Sequence, residues 1–222
     1  MKRWLMIIFV PILVACGCST PTDKVLSRVR ERDQQVRRQM MALTKAVTTE
    51  GREDLIDSLI LTAECLERID AENIAIVDSL LQDGLPKGLL KESYSTIWLV
   101  IDHATLEKQE QHLPLVEQMA AEELICASDY ATLCDRIAMQ HNRPQRYGTQ
   151  SVQFGTPTTL QLHIFPVEDP EHLDSLRATV GLSPIAEYLE QLTAAVGIEA
   201  KFTPSMTVEE LNRLREDSQS AN

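Results

Sequence analysis

Two long helical patterns, each interrupted by polar residues, constrain this chain more than any other feature. From about residue 24 to 49, Leu26, Val29, Val36, Met40, Leu43 and Val47 recur in steps of three and four, which marks one face of a helix. The step between Val29 and Val36 falls on Asp33. From about residue 53 to 83, a second pattern puts Leu59, Ala63, Leu66, Val77 and Leu80 on one face, and its missing steps fall on Asp70 and Asn73. A carboxylate on the apolar line of a helix is costly unless it is paired. Arg37, one turn beyond Asp33, is placed to pair with it. A solvated helix end, with Arg28, Arg30, Glu31 and Arg32 nearby, is the plain alternative for Asp33. A buried Asx pair bonded to backbone is the alternative for Asp70 and Asn73.

Gly51 ends the first pattern, and Gly84 with Pro86 ends the second. Ser93 then opens a helix carrying Tyr94, Ile97, Trp98, Leu99, Val100 and Ile101, dense enough to be central in a bundle. It reaches Asp102-His103, with Glu107 one turn beyond His103. That pair could orient an imidazole or offer two metal ligands, but no HExxH motif or third ligand at a telling spacing accompanies it. No metal or other cofactor is therefore expected. The helix is expected to continue to Gln111, to kink or restart at His112-Leu113-Pro114, and to run on to about residue 124.

Ser128 can cap a fourth helix over residues 129–140, with Tyr130, Leu133, Cys134 and Ile137 facing the core. Asp135 and Arg136 lie beside that face, about 100° apart, so they serve different partners. The helix gives way at Asn142-Arg143-Pro144, and the polar hexapeptide Gln145-Arg146-Tyr147-Gly148-Thr149-Gln150 leads into two strand patterns, residues 151–154 and 159–165. Val152, Phe154, Leu160, Leu162 and Ile164 would share one buried face, with Gly155-Thr156-Pro157 as the turn. A helix follows over 168–180. Ser183 and Pro184 read as cap and first residue of another, to about residue 195. Thr207 and Glu210 fit a capping box for a short last helix. The expected fold is mainly α: a helical bundle of about five to six helices, with one small β-hairpin inserted after the fourth helix. The helical domain would occupy 24–200, and 201–222 would be linker, short helix and disordered tail.

The N-terminus carries an address. Lys2 and Arg3 precede an apolar run from Trp4 to Val14, too short for a bilayer span of about 20 residues but suited to a signal peptide. Leu13-Val14-Ala15-Cys16 matches the bacterial lipoprotein signal. It predicts cleavage before Cys16 and lipidation of that cysteine, with residues 1–15 as signal peptide and 16–23 as tether. The expected location is the cell envelope, with the lipid on Cys16 as the membrane partner, in the outer membrane if the source is Gram-negative.

The chain has 33 acidic against 21 basic residues, a net charge of −12, and loss of Lys2 and Arg3 with the leader makes it −14. That balance argues against nucleic acid, and against anionic headgroups, as partners. Cys18, Cys65, Cys126 and Cys134 show no CxxC spacing, and buried free thiols are the simplest reading.

Several spaced elements resemble an uncharacterised bacterial domain-of-unknown-function family. They are Asp135-Arg136-Ile137, the hexapeptide 145–150, and Val180-Gly181-Leu182-Ser183-Pro184 with Glu187-Tyr188. Asp33-Gln34 with Arg37, Asp70 with Asn73, Gly84-Leu85-Pro86, and Trp98-Leu99-Val100-Ile101 with His103 also resemble it. The resemblance runs from about residue 30 to 192. Leu85 stands where Trp is expected, and Asp102 where Gln is usual. It implies a mostly helical domain, often secreted or lipid-anchored, and no established activity.

The motif positions coincide with the polar interruptions, so one candidate polar cluster is expected from Asp33, Arg37, Asp70, Asn73, His103, Asp135, Arg136, Gln145, Tyr147 and Gln150. Two roles follow. The first is a binding or structural module in which the cluster holds a loop. The second is a hydrolase in which His103 is general base, Asp135 or Asp70 orients it, Arg37 or Arg136 stabilises an anion, and Tyr147 and Gln150 position substrate. Convergence in an open pocket would favour the second role, and dry, fully paired groups the first. A nucleophilic Cys134 has no activator in the sequence.

Overall fold

The first helix shows how directly local chemistry sets the elements. Thr20 and Asp23 form a reciprocal capping box, with Asp23 N donating to Thr20 Oγ1 at 3.1 Å and Thr20 N donating to Asp23 Oδ2 at 2.7 Å. Pro21 occupies the first turn, where its missing N–H costs nothing. Helix α1 (Pro21–Glu50) then runs unbroken to Gly51, which adopts φ +66° and closes the end through its N–H to Ala46 O. A computed structural model describes residues 19–155 and 160–220; the leader, Cys16, Cys18 and the expected turn at Thr156-Pro157 lie outside them.

After a short 3-10 turn at Glu53–Leu55 come α2 (Ile56–Leu81), α3 (Lys91–Asp102), α4 (Leu106–Ala121) and α5 (Ala127–Gln140). Strands β1 (Ser151–Phe154) and β2 (Gln161–Ile164) follow, then α6 (Leu173–Thr179), α7 (Ile185–Val196), β3 (Ala200–Lys201) and α8 (Val208–Ser220). The main core joins α1 to α5 through Leu26, Val29, Val77, Leu81, Ile97, Ile101, Val116, Met119 and Leu133, among others. Each such side chain, fully buried, contributes about 1.5–3 kcal/mol. A second, smaller core of Phe154, Phe165, Val208 and Leu211 lies between the sheet and α8. The far halves of α1 and α2 leave Met41, Ile56, Ile60 and Leu61 exposed, at 43–64% of their surface.

The fold is mainly helical with a small sheet, as the periodicity predicts, but finer expectations are corrected. The described residues hold eight α-helices rather than five or six, and β1 follows the fifth rather than the fourth. The extra helix before β1 arises because the third expected helix is two. The break comes at His103-Ala104-Thr105, not at Pro114, which sits inside α4. Gln109 secures that break: its side-chain amide donates to Asp102 O, at the end of α3, and to Ala104 O, in the break itself.

The hairpin is part of a three-stranded sheet. β1 and β2 are antiparallel, with Ser151 opposite Ile164 and Phe154 opposite Gln161, and β3 adds parallel to β2. As the central strand, β2 buries both faces, so His163 and Phe165 are buried along with Leu162 and Ile164. The segment expected to end in a loose tail is helical to Ser220 and seals the second core. Its capping box is as expected, with Thr207 N to Glu210 Oε2 at 2.8 Å and Glu210 N to Thr207 Oγ1 at 3.2 Å.

Three caps or faces also shift. Cys126, not Ser128, caps α5, with Asp129 completing its box. The expected helix over 168–180 shortens to α6, and Asp174 Oδ1 accepts Ile185 N at 2.7 Å to start α7. The buried line of α2 is Thr62, Ile69, Asn73, Val77 and Leu81, so Asp70 flanks the core line while Asn73 lies on it.

Candidate functional site

Of the ten residues expected to form one polar cluster, nine fall into two, and Arg136 stands between them. The first lies where α1, α2 and the end of α3 meet. Asp33 is fully buried on α1. Arg37 Nε lies 3.3 Å from Asp33 Oδ2, and Arg37 Nη2 lies 2.6 Å from Asp70 Oδ1 on α2. His103, the cap residue of α3, places Nδ1 3.1 Å from Asp33 Oδ1, and Gln34 Nε2 donates to Asp33 Oδ2 at 2.8 Å. Burial works against the Asp33 charge, but the bonds from His103 and Gln34 and the field of Arg37 outweigh it, holding the carboxyl below its ordinary range. An ionised Asp33 can only accept, so His103 Nδ1 carries the proton of that bond. Asp70 moves the other way: burial raises it more than Arg37 lowers it.

Asn73 belongs to the edge of this group. Its Oδ1 accepts from Arg32 Nη2 at 2.6 Å, while its Nδ2 is a buried donor with no hydrogen-bond partner among the described residues.

The second cluster is the hexapeptide and what holds it. Asp135, 1% exposed, accepts from the main chain of the loop: Arg146 N at 2.8 Å, Tyr147 N at 3.1 Å and Thr149 N at 3.0 Å, with Thr149 Oγ1 at 2.9 Å. Burial still pushes its carboxyl above the ordinary value, against those four partners. Gln145, also fully buried, works as an internal strut. Its Nε2 donates to Gln150 O and Phe165 O, and its Oε1 accepts Gln150 N. Gln150 Nε2 reaches Thr132 O on α5 at 3.4 Å. Gly148 sits at φ +66°, and a side chain there would touch Leu173, Val167 and Ile185 at 3.5–3.6 Å.

Arg177 is the residue that sequence reading missed. It is 1% exposed, donates through Nη1 to Tyr147 O at 2.7 Å and Gly148 O at 3.3 Å, and through Nε to Ser183 O at 2.6 Å. Its guanidinium lies 4.9 Å over the ring of Tyr188, whose hydroxyl donates to Thr149 O at 2.8 Å. One signal could have found it: Arg177 falls one four-residue step after Leu173 on the buried side of α6. The loop is thus held from below by Asp135, which takes its amides, and from above by Arg177 and Tyr188, which take its carbonyls.

Asp135 and Arg136 do diverge. Asp135 turns to the loop, and Arg136 Nε pairs with Asp102 Oδ1 of α3 at 2.8 Å. Since Asp102 precedes His103, this ion pair is the bridge between the two clusters. A further pair lay outside the expected set: buried His112 sits 2.6 Å from Asp78, which Lys108 also meets at 2.8 Å.

The chemistry open to these groups is limited. Asp33, Asp70 and His103 offer one ligand atom each within 4.8 Å of one another, the donor set of a two-carboxylate, one-histidine cation site. Arg37 already answers both carboxylates, so a cation there would meet a guanidinium. The Asp33–His103 pair could orient an imidazole for base chemistry, but neither cluster lines the large groove described next. Tyr147 serves the loop through its main chain, and the hydroxyl donates no hydrogen bond among the described residues. Burial pushes the Cys134 thiol up, away from a reactive thiolate. Cys65, Cys126 and Cys134 are unbridged, and Cys126 is exposed rather than buried.

A groove of about 1000 Å³ opens elsewhere, between the start of α1, the start of α3 and the turn into α5. Ser19, Lys24, Leu90, Leu124 and Ile125 are among its walls.

The chain matches the model of a family of unknown function (DUF6624) over residues 22–201, and it belongs to that family. No curated protein and no solved structure matches it.

Proposed function

We propose that this chain is a lipid-anchored protein of the bacterial cell envelope whose helical domain is a binding module, with both polar clusters acting as structural fastenings. The observation that carries the reading is how Asp135, Gln145 and Arg177 are used: their hydrogen bonds go to main-chain groups of the hexapeptide and of Phe165 and Ser183, and to the Thr149 hydroxyl, so that they fasten the loop. The groove, by contrast, is open and free of both clusters. Support for the anchor is the Leu13-Val14-Ala15-Cys16 signal behind Lys2, Arg3 and a short apolar run. No helix among the described residues is long and apolar enough to cross a membrane, so attachment falls to Cys16 in this reading. Membrane fractionation of the Cys16→Ser chain tests it. Release into the soluble fraction is expected, and unchanged sedimentation with membranes would refute the anchor.

The hydrolase reading rests on one observation, the Asp33–His103 contact at 3.1 Å. It requires that His103→Ala abolish a hydrolytic activity of the parent while leaving the fold intact. A parent inactive against ester, amide and phosphoester panels would end that reading.

A further inference from the structure

The groove concentrates what the whole-chain charge averages away. Four basic residues, Lys24, Arg28, Arg30 and Lys91, stand on its rim, all exposed, in a protein with 33 acidic residues. Among the described residues none of the four is in an ion pair. Among those residues the Arg28 side chain bonds Lys24 O alone, and that of Arg30 bonds Ser95 Oγ alone, at 3.4 Å. The acids beside them are largely engaged. Asp23 is buried and accepts from Ser93 Oγ, Leu90 N and Thr20, and Asp129 accepts Cys126 N. Glu92 is the one exposed carboxylate of the rim among the described residues. Below the rim the wall is apolar, with Leu90, Leu124 and Ile125. A cavity of about 1000 Å³ reaches the top of the usual range for small-molecule sites, roughly 300–1,000 Å³.

Position adds the second argument. Ser19 lines the groove and stands three residues after Cys16. Three residues reach at most about 10 Å. A lipid on Cys16 therefore keeps this end of the domain against the bilayer. We propose that the groove takes an anionic phospholipid of that membrane, its headgroup on Lys24, Arg28 and Lys91 and an acyl chain along Leu90, Leu124 and Ile125. The proposal rests on the anchored reading given above. It narrows the inference from net charge: the chain repels anionic surfaces on average, but the face nearest the anchor is the basic one.

The test uses the full lipidated chain in vesicles that carry photoactivatable phosphatidylglycerol or, separately, photoactivatable phosphatidylcholine, with crosslinks mapped to peptides. Phosphatidylglycerol is expected to label the peptides holding Leu90 and Leu124, with phosphatidylcholine at background. Each basic residue near an anionic surface is worth about 1 kcal/mol, so Lys24→Glu, Arg28→Glu and Lys91→Glu together should cut labelling by about a hundredfold or more. Ser27→Trp fills the groove from an exposed wall position and should abolish labelling with the rim intact. All four positions are exposed, so thermal unfolding of these variants should match the parent, which keeps a lost crosslink from being a lost fold. Equal labelling by the two lipids, or labelling unaffected by the triple variant, in protein shown to be vesicle-bound, would overturn the groove proposal alone. Protein that fails to enter vesicles would instead overturn the anchor, and the groove proposal with it.

Discussion

Asp33 and Asp135 are both aspartates on helices, both with 1% exposure or less, yet they are held in opposite ways. Asp33 is answered by side chains: Arg37, His103 and Gln34. Asp135 is answered mainly by amides of residues 146–149. The first arrangement ties three helices together with charges that reach partial solvent, since the Arg37 and His103 side chains are 24% and 17% exposed. The second builds a loop around a buried carboxylate. Burial of a carboxylate thus says little about its role. What matters is whether the charge is met by groups that substitution can change, or by a backbone that must take one conformation to meet it.

The largest expected effect is at Asp135. Asparagine there keeps one acceptor and turns an NH2 group toward amide donors. Each stranded buried donor costs about 1–3 kcal/mol, so Asp135→Asn should cost about 3–5 kcal/mol and lower the melting temperature by about 10 °C. If Asp33→Asn proved equally damaging, the contrast would fail. Next is Arg177→Met, which strands the carbonyls of Tyr147, Gly148 and Ser183 and should cost about 3 kcal/mol in urea unfolding. Arg177→Lys should recover little of that, because one ammonium cannot reproduce the planar fork.

Asp33 should show a smaller effect with a distinct pH signature. Its carboxyl is held below the ordinary value, so the ionised form is the stabilising one. The stability gap between parent and Asp33→Asn should be about 1–2 kcal/mol at pH 7. It should shrink as the pH falls through about 4 and on through the lower native value. A gap that grew on acidification would mean that the charge network is not what Asp33 supplies. The smallest effect is expected at Tyr147→Phe, below about 0.5 kcal/mol, since the loop uses its main-chain groups and its ring, which lies 5.5 Å from the Arg146 guanidinium, and phenylalanine keeps both. A large loss there would show that its hydroxyl does more than the geometry indicates.

Much of this architecture was legible in the chain. Gly51 ends the first helix, Thr207 and Glu210 open the last, and missing apolar steps located Asp33, Asp70 and Asn73, whereas the start of the first helix at Thr20-Pro21 falls in the stretch expected to be tether. The divergence of Asp135 and Arg136 followed from helix geometry alone. The break after Asp102 was less visible, because it depends on Gln109 folding back onto the carbonyls of Asp102 and Ala104, and Pro114 was a louder but misleading signal. Arg177 was hidden because an arginine in a short polar helix looks solvated until something is packed over it.

The sequence by itself determined the mainly helical class, the stop at Gly51, the capping box of the last helix, the polar interruptions on or beside buried lines and the acidic overall charge, because these depend on composition and on spacing within one element. Tertiary structure decided which polar groups meet. It separated nine of the ten candidates into two clusters with Arg136 between them, brought in Arg177 and Tyr188 from more than 25 residues downstream of the loop, and gathered Lys24, Arg28, Arg30 and Lys91 around one groove. A helical period fixes the direction in which a side chain points from its own axis. What stands opposite is set only when the helices pack, and at Asp33 and Asp135 that difference separates a charge network from a loop scaffold.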